Sequence, residues 1–281
     1  MTLSCEDPIY AMGRSEGERR RLVEQAALYA ASTRLLLTEA GLRPGWRVVD
    51  AGCGVGDVTL LAASLIGPDG TVVGVDTDAE ALAVAEGRAA HAGLADHVRF
   101  VHGDLRDVSF DDGFDAVVGR FVLMYLRDPV EGVRRLARHV RPYSEPGTSG
   151  YERNRPSNWN SWKATMPPGR TVEWVVEAFR GAGVETNMGF RLPATFRDAG
   201  LPWPQAFVHT PLAGGPDHPA YSLFAHVLES LLPLIEGLGV STRDEIGIDT
   251  YVHRLATEAV AHHAAGSAAP VVGAWSTVLA G

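Results

Sequence analysis

The stretch Val48-Val49-Asp50-Ala51-Gly52-Cys53-Gly54-Val55-Gly56-Asp57 decides the fold. The apolar run Trp46 to Val49 reads as a buried strand. It closes on an acid, Asp50, and runs into three glycines at alternate positions. An apolar segment with helical spacing, Val58 to Ile66, follows. Strand, glycine turn and helix in that order make the first unit of a nucleotide-type α/β fold. The glycines permit a sharp turn and let a ligand approach the backbone with no Cβ in the way. The start of the following helix offers unpaired N–H groups.

The spacing separates two kinds of ligand. A dinucleotide-binding turn has the form G-x-G-x-x-G. Here the order is G-x-G-x-G, and Asp57 stands where the third dinucleotide glycine would be. A carboxylate there opposes a pyrophosphate, so the ligand is expected to carry no phosphate in this turn. The run Asp50-Ala51-Gly52-Cys53-Gly54-Val55-Gly56 resembles the glycine loop of the class I S-adenosylmethionine-dependent methyltransferases of the small-molecule type.

Later landmarks extend the resemblance. Thr71 to Val75 is a β-branched strand ending in Asp76-Thr77-Asp78, about twenty residues beyond the glycine turn. An acid at that place holds a ribose diol in this fold, accepting two hydrogen bonds from neighbouring hydroxyls. Asp76 takes that role, and Asp78 reads as the N-cap of a helix over 79–92. Val98 to Val101 is a third strand, followed by His102-Gly103-Asp104-Leu105. Asp104 either accepts from an adenine amino group or is a turn residue, and Leu105 packs on the base in the first case. His102 reads as a strand-end residue. Phe114 to Gly119 is a fourth strand, and the segment Arg120 to Tyr125 after it falls at the crevice of an open sheet. Phe121 and Tyr125 there either offer aromatic faces to a cation or are core. The resemblance covers residues 10–142, and more loosely Leu192 to Phe196 and Val271 to Trp275.

What the resemblance implies is a single domain over 1–281, an α/β Rossmann-like open and mostly parallel sheet with helices on both faces. Its parts are a helical cap (1–41), a cofactor half (42–142), an irregular segment (143–170), and a C-terminal half (171–281) with a helical lid at about 217–265, inserted before the last strand. The expected cofactor is S-adenosyl-L-methionine, the expected partner a small-molecule methyl acceptor. The expected cofactor contacts are Asp50, Gly52, Gly54, Gly56, Asp76, Thr77, Asp104, Leu105 and Arg120. Tyr10 and Gln25 join them from the cap, with Arg14 a further candidate there. Met124 and Tyr125 are the expected acceptor contacts. No general base is assigned.

The cap reads as two helices. Ser15-Glu16-Gly17-Glu18 is a capping-box pattern opening one towards Tyr29, and a second runs from about Ser32 to Ala40. With no strand to pair with, they are expected across the mouth of the ligand site, unless their polar residues are plain surface. Arg19-Arg20-Arg21, flanked by Glu16, Glu18 and Glu24, reads as a solvated helix face.

The pattern breaks after Pro142. Residues 143–160 contain no Val, Ile or Leu and are rich in Pro, Gly, Ser and Asn, a loop composition. A central strand is not expected there, so one sheet position is expected to be empty or thinly filled. Trp159 and Trp162 either line an acceptor pocket or cover the sheet edge. The break motivates an alternative, a catalytically silent S-adenosylmethionine-binding protein. Regular structure resumes with helices over 172–182 and 191–198, a strand over 205–210, two helices at about 219–238 and 242–265, and a strand over 270–278.

Composition sets the outer bounds. The 281 residues carry a net charge of -9, which argues against a nucleic-acid partner. No apolar run has membrane-spanning length, and a cytoplasmic protein is expected. Two cysteines, Cys5 and Cys53, give no disulfide framework. The histidines have no metal-ligand spacing, so no metal is expected.

Overall fold

The computed structural model describes residues 10–105, 107–110, 113–142, 156–162, 170–263, 265–267 and 269–279, with the backbone alone at 156–162, 213, 214 and 265–267. In chain order the elements are α1 (Glu16–Glu39), β1 (Arg47–Ala51), α2 (Asp57–Ile66), β2 (Thr71–Asp76), α3 (Ala79–His91), β3 (Val98–His102), β4 (Ala116–Arg120) and α4 (Pro129–Ala137). Then come β5 (Pro156–Trp162), α5 (Arg170–Gly181), α6 (Met188–Asp198), β6 (Gln205–His209), β7 (Leu212–Gly214), α7 (Pro219–Gly237), α8 (Arg243–Ile246), α9 (Tyr251–Ala261), β8 (Ala265–Ser267) and β9 (Val271–Thr277).

Seven strands form one sheet in the order β3-β2-β1-β4-β5-β9-β6. The first five are parallel to their neighbours, and β9 is antiparallel to both β5 and β6. The chain order reverses between β1 and β4, which opens a crevice at the carboxyl ends of those strands. Val48, Val49 and Ala51 of β1 and Ala116, Val117 and Val118 of β4 are buried, as expected for strands covered on both faces. The helical insertion expected before the last strand is present between β6 and β9, and α7 is its main member. Leu228, Leu231 and Ile235 of α7 are fully buried, each stabilising the packing by roughly 1.5–3 kcal/mol relative to exposure.

Four expectations need correction. The cap is one helix of 24 residues, not two. Its small polar residues satisfy themselves without breaking it: Thr33 Oγ1 donates back to the Tyr29 carbonyl at 2.9 Å, and Ser32 Oγ pairs with His209 Nδ1 at 2.6 Å. The fifth sheet position is filled. Pro156–Trp162 pairs in parallel with β4 and antiparallel with β9. Backbone pairing on both edges makes this strand, so its lack of branched side chains does not prevent it. The expected helix over 242–265 is broken at Gly247, which takes a left-handed conformation with φ 61°. The Arg254 guanidinium satisfies the carbonyls of Ile246 and Gly247 there. Residues 265–267, expected at that helix's end, form β8, which pairs with β7 in a two-stranded sheet that was not anticipated. The loop composition of 143–155 and the side chains of Trp159 and Trp162 lie outside what is described.

Candidate functional site

The loops at the carboxyl ends of β1, β2, β3 and β4 line one cavity of about 450 Å³, roofed by the segment before α1, by α1 itself and by α7. That volume suits a small ligand. Its floor is the glycine turn. Gly52 has φ 66°, and a Cβ there would run into the Val122 side chain. Gly54 has φ 51°, and a Cβ there would meet Leu22 of α1 at 3.8 Å.

Three amides of the turn are already taken. Cys53 N–H donates to the Val75 carbonyl at 3.0 Å and Gly56 N–H to the Cys53 carbonyl at 2.9 Å. Gly54 N–H donates to Asp76 Oδ2 at 2.7 Å. The start of α2 already holds an anion: the Asp57 carboxylate pairs with Arg88 at 2.6 Å and with Arg120 at 3.6 Å. A pyrophosphate would need those same N–H groups and that same helix end. The site therefore fits a ligand without phosphates, and Asp57 is the reason.

Asp76 closes β2 and lines the cavity. Its Oδ1 accepts from Asp78 N–H at 2.9 Å. One oxygen held by each amide fixes the carboxylate plane, and each oxygen keeps a further acceptor position. Two vicinal hydroxyls match that arrangement. Thr77, Asp104 and Leu105 line the same side of the cavity, and Arg14 donates to Thr77 Oγ1 at 3.1 Å. Asp78 caps α3, accepting from Glu80 and Ala81 N–H.

The other side begins after β4. Phe121 has φ 62°, a left-handed conformation that is uncommon for a bulky residue and characteristic of functional sites. The turn it makes brings Arg120, Phe121, Met124 and Tyr125 to the cavity wall. Arg120 is half-buried and lies over the Phe121 ring, with its Cζ 5.7 Å from the centroid. The Phe121 ring meets Tyr29 edge-on at 6.1 Å.

The cap holds a buried polar cluster. Glu18 is 2% and Arg21 4% exposed. Arg21 grips the Glu18 carboxylate through Nε and Nη2, both at 2.7 Å. Tyr10 and Ser230 hydroxyls donate to the same carboxylate at 2.7 and 3.0 Å, and Arg21 also donates to Gln25. Glu18 thus ties the segment before α1, α1 and α7 together. This corrects the reading of Arg19-Arg20-Arg21 as a solvated face, since Arg21 points inward and lines the cavity. It also halves the capping box. Ser15 Oγ accepts from Glu18 N–H at 3.1 Å, but the Glu18 carboxylate turns to Arg21. The signal for Arg21 was present, as it lies three residues from Glu18 and four from Gln25, on one helix face.

Of the residues expected at the site, Tyr10, Gln25, Gly52, Gly54, Asp76, Thr77, Asp104, Leu105, Arg120, Met124 and Tyr125 all line the cavity. Asp50 and Gly56 do not. Asp50 is fully buried beneath the turn, accepting from the Thr59 hydroxyl at 2.6 Å. Burial pushes its carboxyl up to about 7. Gly56 packs against Ala85 and Phe100 behind the turn. Sequence reasoning missed Phe179 of α5 and Leu223, Phe224 and Val227 of α7, which complete the wall. They read as ordinary helix core.

Residues 48–143 match the family described as a methyltransferase domain. A ubiquinone/menaquinone biosynthesis C-methyltransferase of Ectopseudomonas mendocina is 33% identical over 134 residues, 44% of this chain and 52% of that protein. A demethylmenaquinone methyltransferase of Staphylococcus aureus is 31% identical over 108 residues, 38% of this chain and 44% of that one. The chain thus spans about half the length of the curated relatives it matches. Among solved structures, the YcgJ protein of Bacillus subtilis superposes with a TM-score of 0.56 at 21% identity, over 90% of this chain and 100% of that one. A SAM-dependent methyltransferase of Aquifex aeolicus gives 0.52 at 19% identity, over 72% and 93%. At those identities the structures establish the fold.

Proposed function

We propose, from the premise that residues 48–143 are a class I S-adenosylmethionine-dependent methyltransferase domain, that this chain transfers a methyl group from S-adenosylmethionine to a small molecule held under α1 and α7. The observation that carries the proposal is the Gly54–Asp76 hydrogen bond beside the Asp57 ion pairs. It leaves a fixed carboxylate for a ribose and puts an anion where a pyrophosphate would sit. Asp76 holds the ribose, Asp104 and Leu105 receive the adenine, and Gly52 and Gly54 let the rest of the cofactor lie against the turn. Arg120 and Gln25 face the amino-acid end. When bound, the cofactor supplies a methyl group on a sulfonium, which needs little activation beyond position. The chain's part is then to hold the acceptor in line and keep water out. Tyr10, Tyr125 and the α7 wall are placed to do so.

The acceptors in the relatives' names are not carried over. The family match ends at residue 143, whereas α5 and α7 supply the far wall. The silent-binder alternative rested on an empty sheet position, and β5 fills it. Calorimetric titration with S-adenosylhomocysteine and, separately, NAD tests the proposal. Binding of the first with at least roughly tenfold preference over NAD is expected. Equal or reversed preference contradicts it.

A further inference from the structure

The cavity has two unlike sides, and the second constrains what it can accept. On the β1, β2 and β3 side the lining is glycine backbone and carboxylates. On the far side it is apolar, with Phe179, Leu223, Phe224, Val227 and Met124 forming one surface beside Tyr125. With Arg120 given to the amino-acid end of the cofactor, Arg21 is the cation left to this surface, and it is already matched by an anion of the protein. Arg21 is held by Glu18 through two bonds of 2.7 Å. An anionic acceptor would have to compete with that buried carboxylate for the guanidinium. A cationic acceptor would lose its hydration beside it with no carboxylate left to meet it. Both costs are large in a water-poor site.

One polar group on this surface stands without a counterpart. The Tyr125 hydroxyl has no hydrogen-bond partner among the described residues. Its ring is fixed by packing on Tyr10, with centroids 5.0 Å apart and planes at 60°. Burial raises its pKa, so the hydroxyl stays protonated and can donate. Tyr125 is half-buried and lines the cavity, so its hydroxyl can donate to an acceptor atom of a ligand there.

We propose that the methyl acceptor is an uncharged, largely apolar molecule carrying a hydrogen-bond-accepting oxygen, and that Tyr125 binds that oxygen while α7 encloses the apolar body. This rests on the methyl-transfer reading, because the first half of the cavity must be filled by the cofactor for the second half to be the acceptor's.

The test uses the full chain saturated with S-adenosylhomocysteine, whose own binding is measured first. Three probes of one shape are then titrated near neutral pH: 2-naphthol (neutral), 2-naphthoate (anion) and 2-naphthylmethylammonium (cation). The neutral probe is expected to bind roughly tenfold tighter than either ion. Tyr125→Phe should weaken 2-naphthol about fivefold, the worth of one neutral hydrogen bond. Naphthalene, which has no oxygen, should bind wild type and variant alike, a difference that a merely structural role for Tyr125 would not produce. The inference is overturned if an ion binds as tightly as 2-naphthol, if Tyr125→Phe weakens naphthalene equally, or if no probe binds to the loaded protein. Failure of S-adenosylhomocysteine itself to bind removes the methyl-transfer reading and this inference together.

Discussion

Gly54 donates its backbone N–H to Asp76 Oδ2 at 2.7 Å, joining the glycine turn after β1 to the acid that closes β2. The bond orients the acid and withdraws an amide from any phosphate. Asp76→Ala should therefore lower S-adenosylhomocysteine affinity by about 10- to 100-fold, the range for charge-assisted hydrogen bonds to the ribose. Calorimetry reads this directly, and an unchanged affinity would take Asp76 out of the site.

The glycines of the turn differ in what they tolerate. Gly52→Ala meets both a left-handed backbone and the Val122 side chain, whereas Gly54→Ala meets the backbone cost with Leu22 at an ordinary 3.8 Å. The backbone cost alone is about 1–2 kcal/mol. Urea unfolding should show Gly52→Ala losing more stability than Gly54→Ala. The reverse order would mean that the turn is not packed against Val122 as described.

Glu18 and Arg21 form a buried pair that joins the cap to α7 through Ser230. Removing one partner strands a buried charge and costs roughly 3–5 kcal/mol. Glu18→Ala should lower stability by that amount, while the double variant Glu18→Ala/Arg21→Ala should lose less than the sum of the two singles. A double-mutant cycle in urea checks it, and strict additivity would argue against the pair.

Asp50 predicts a pH dependence. Its folded value is about 7 against an ordinary 3.8, raised chiefly by burial. For an acid whose folded value is raised, the stabilising contribution is full below the unfolded value and is lost as pH rises through the folded one. Asp50→Asn has no such loss. Its stability relative to wild type should climb from about pH 4 to about pH 7 and then level off, by at most ~4 kcal/mol. Parallel stability profiles for the two proteins would contradict the assignment.

The amino-acid order carried much of this architecture, for identifiable reasons. The β1–α2–β2 unit is legible because glycines that need positive φ and acids at strand ends leave few alternatives, and the expected contacts Asp76, Asp104 and Arg120 do share one cavity. The errors have a common origin. Ser32 and Thr33 look like a helix break until His209, 177 residues away, supplies the partner. Pro156–Trp162 looks like a loop until β4 and β9 supply both edges. Asp50 looks like a ligand contact, yet the turn folds over it. Arg21 looks solvated because only the tertiary structure brings Ser230 and Tyr10 to Glu18. The lid over 217–265 was legible, but not which of its side chains line the cavity: a buried Leu or Phe facing a cavity has the same spacing as one facing the core.

The most direct test of the whole account is a crystal structure of the chain grown with S-adenosylhomocysteine. The account predicts the ribose hydroxyls on the Asp76 carboxylate, the adenine beside Asp104 and Leu105, and the sulfur facing the surface formed by Tyr125 and α7. A ligand lodged elsewhere, or a ribose held by any group other than Asp76, would contradict it.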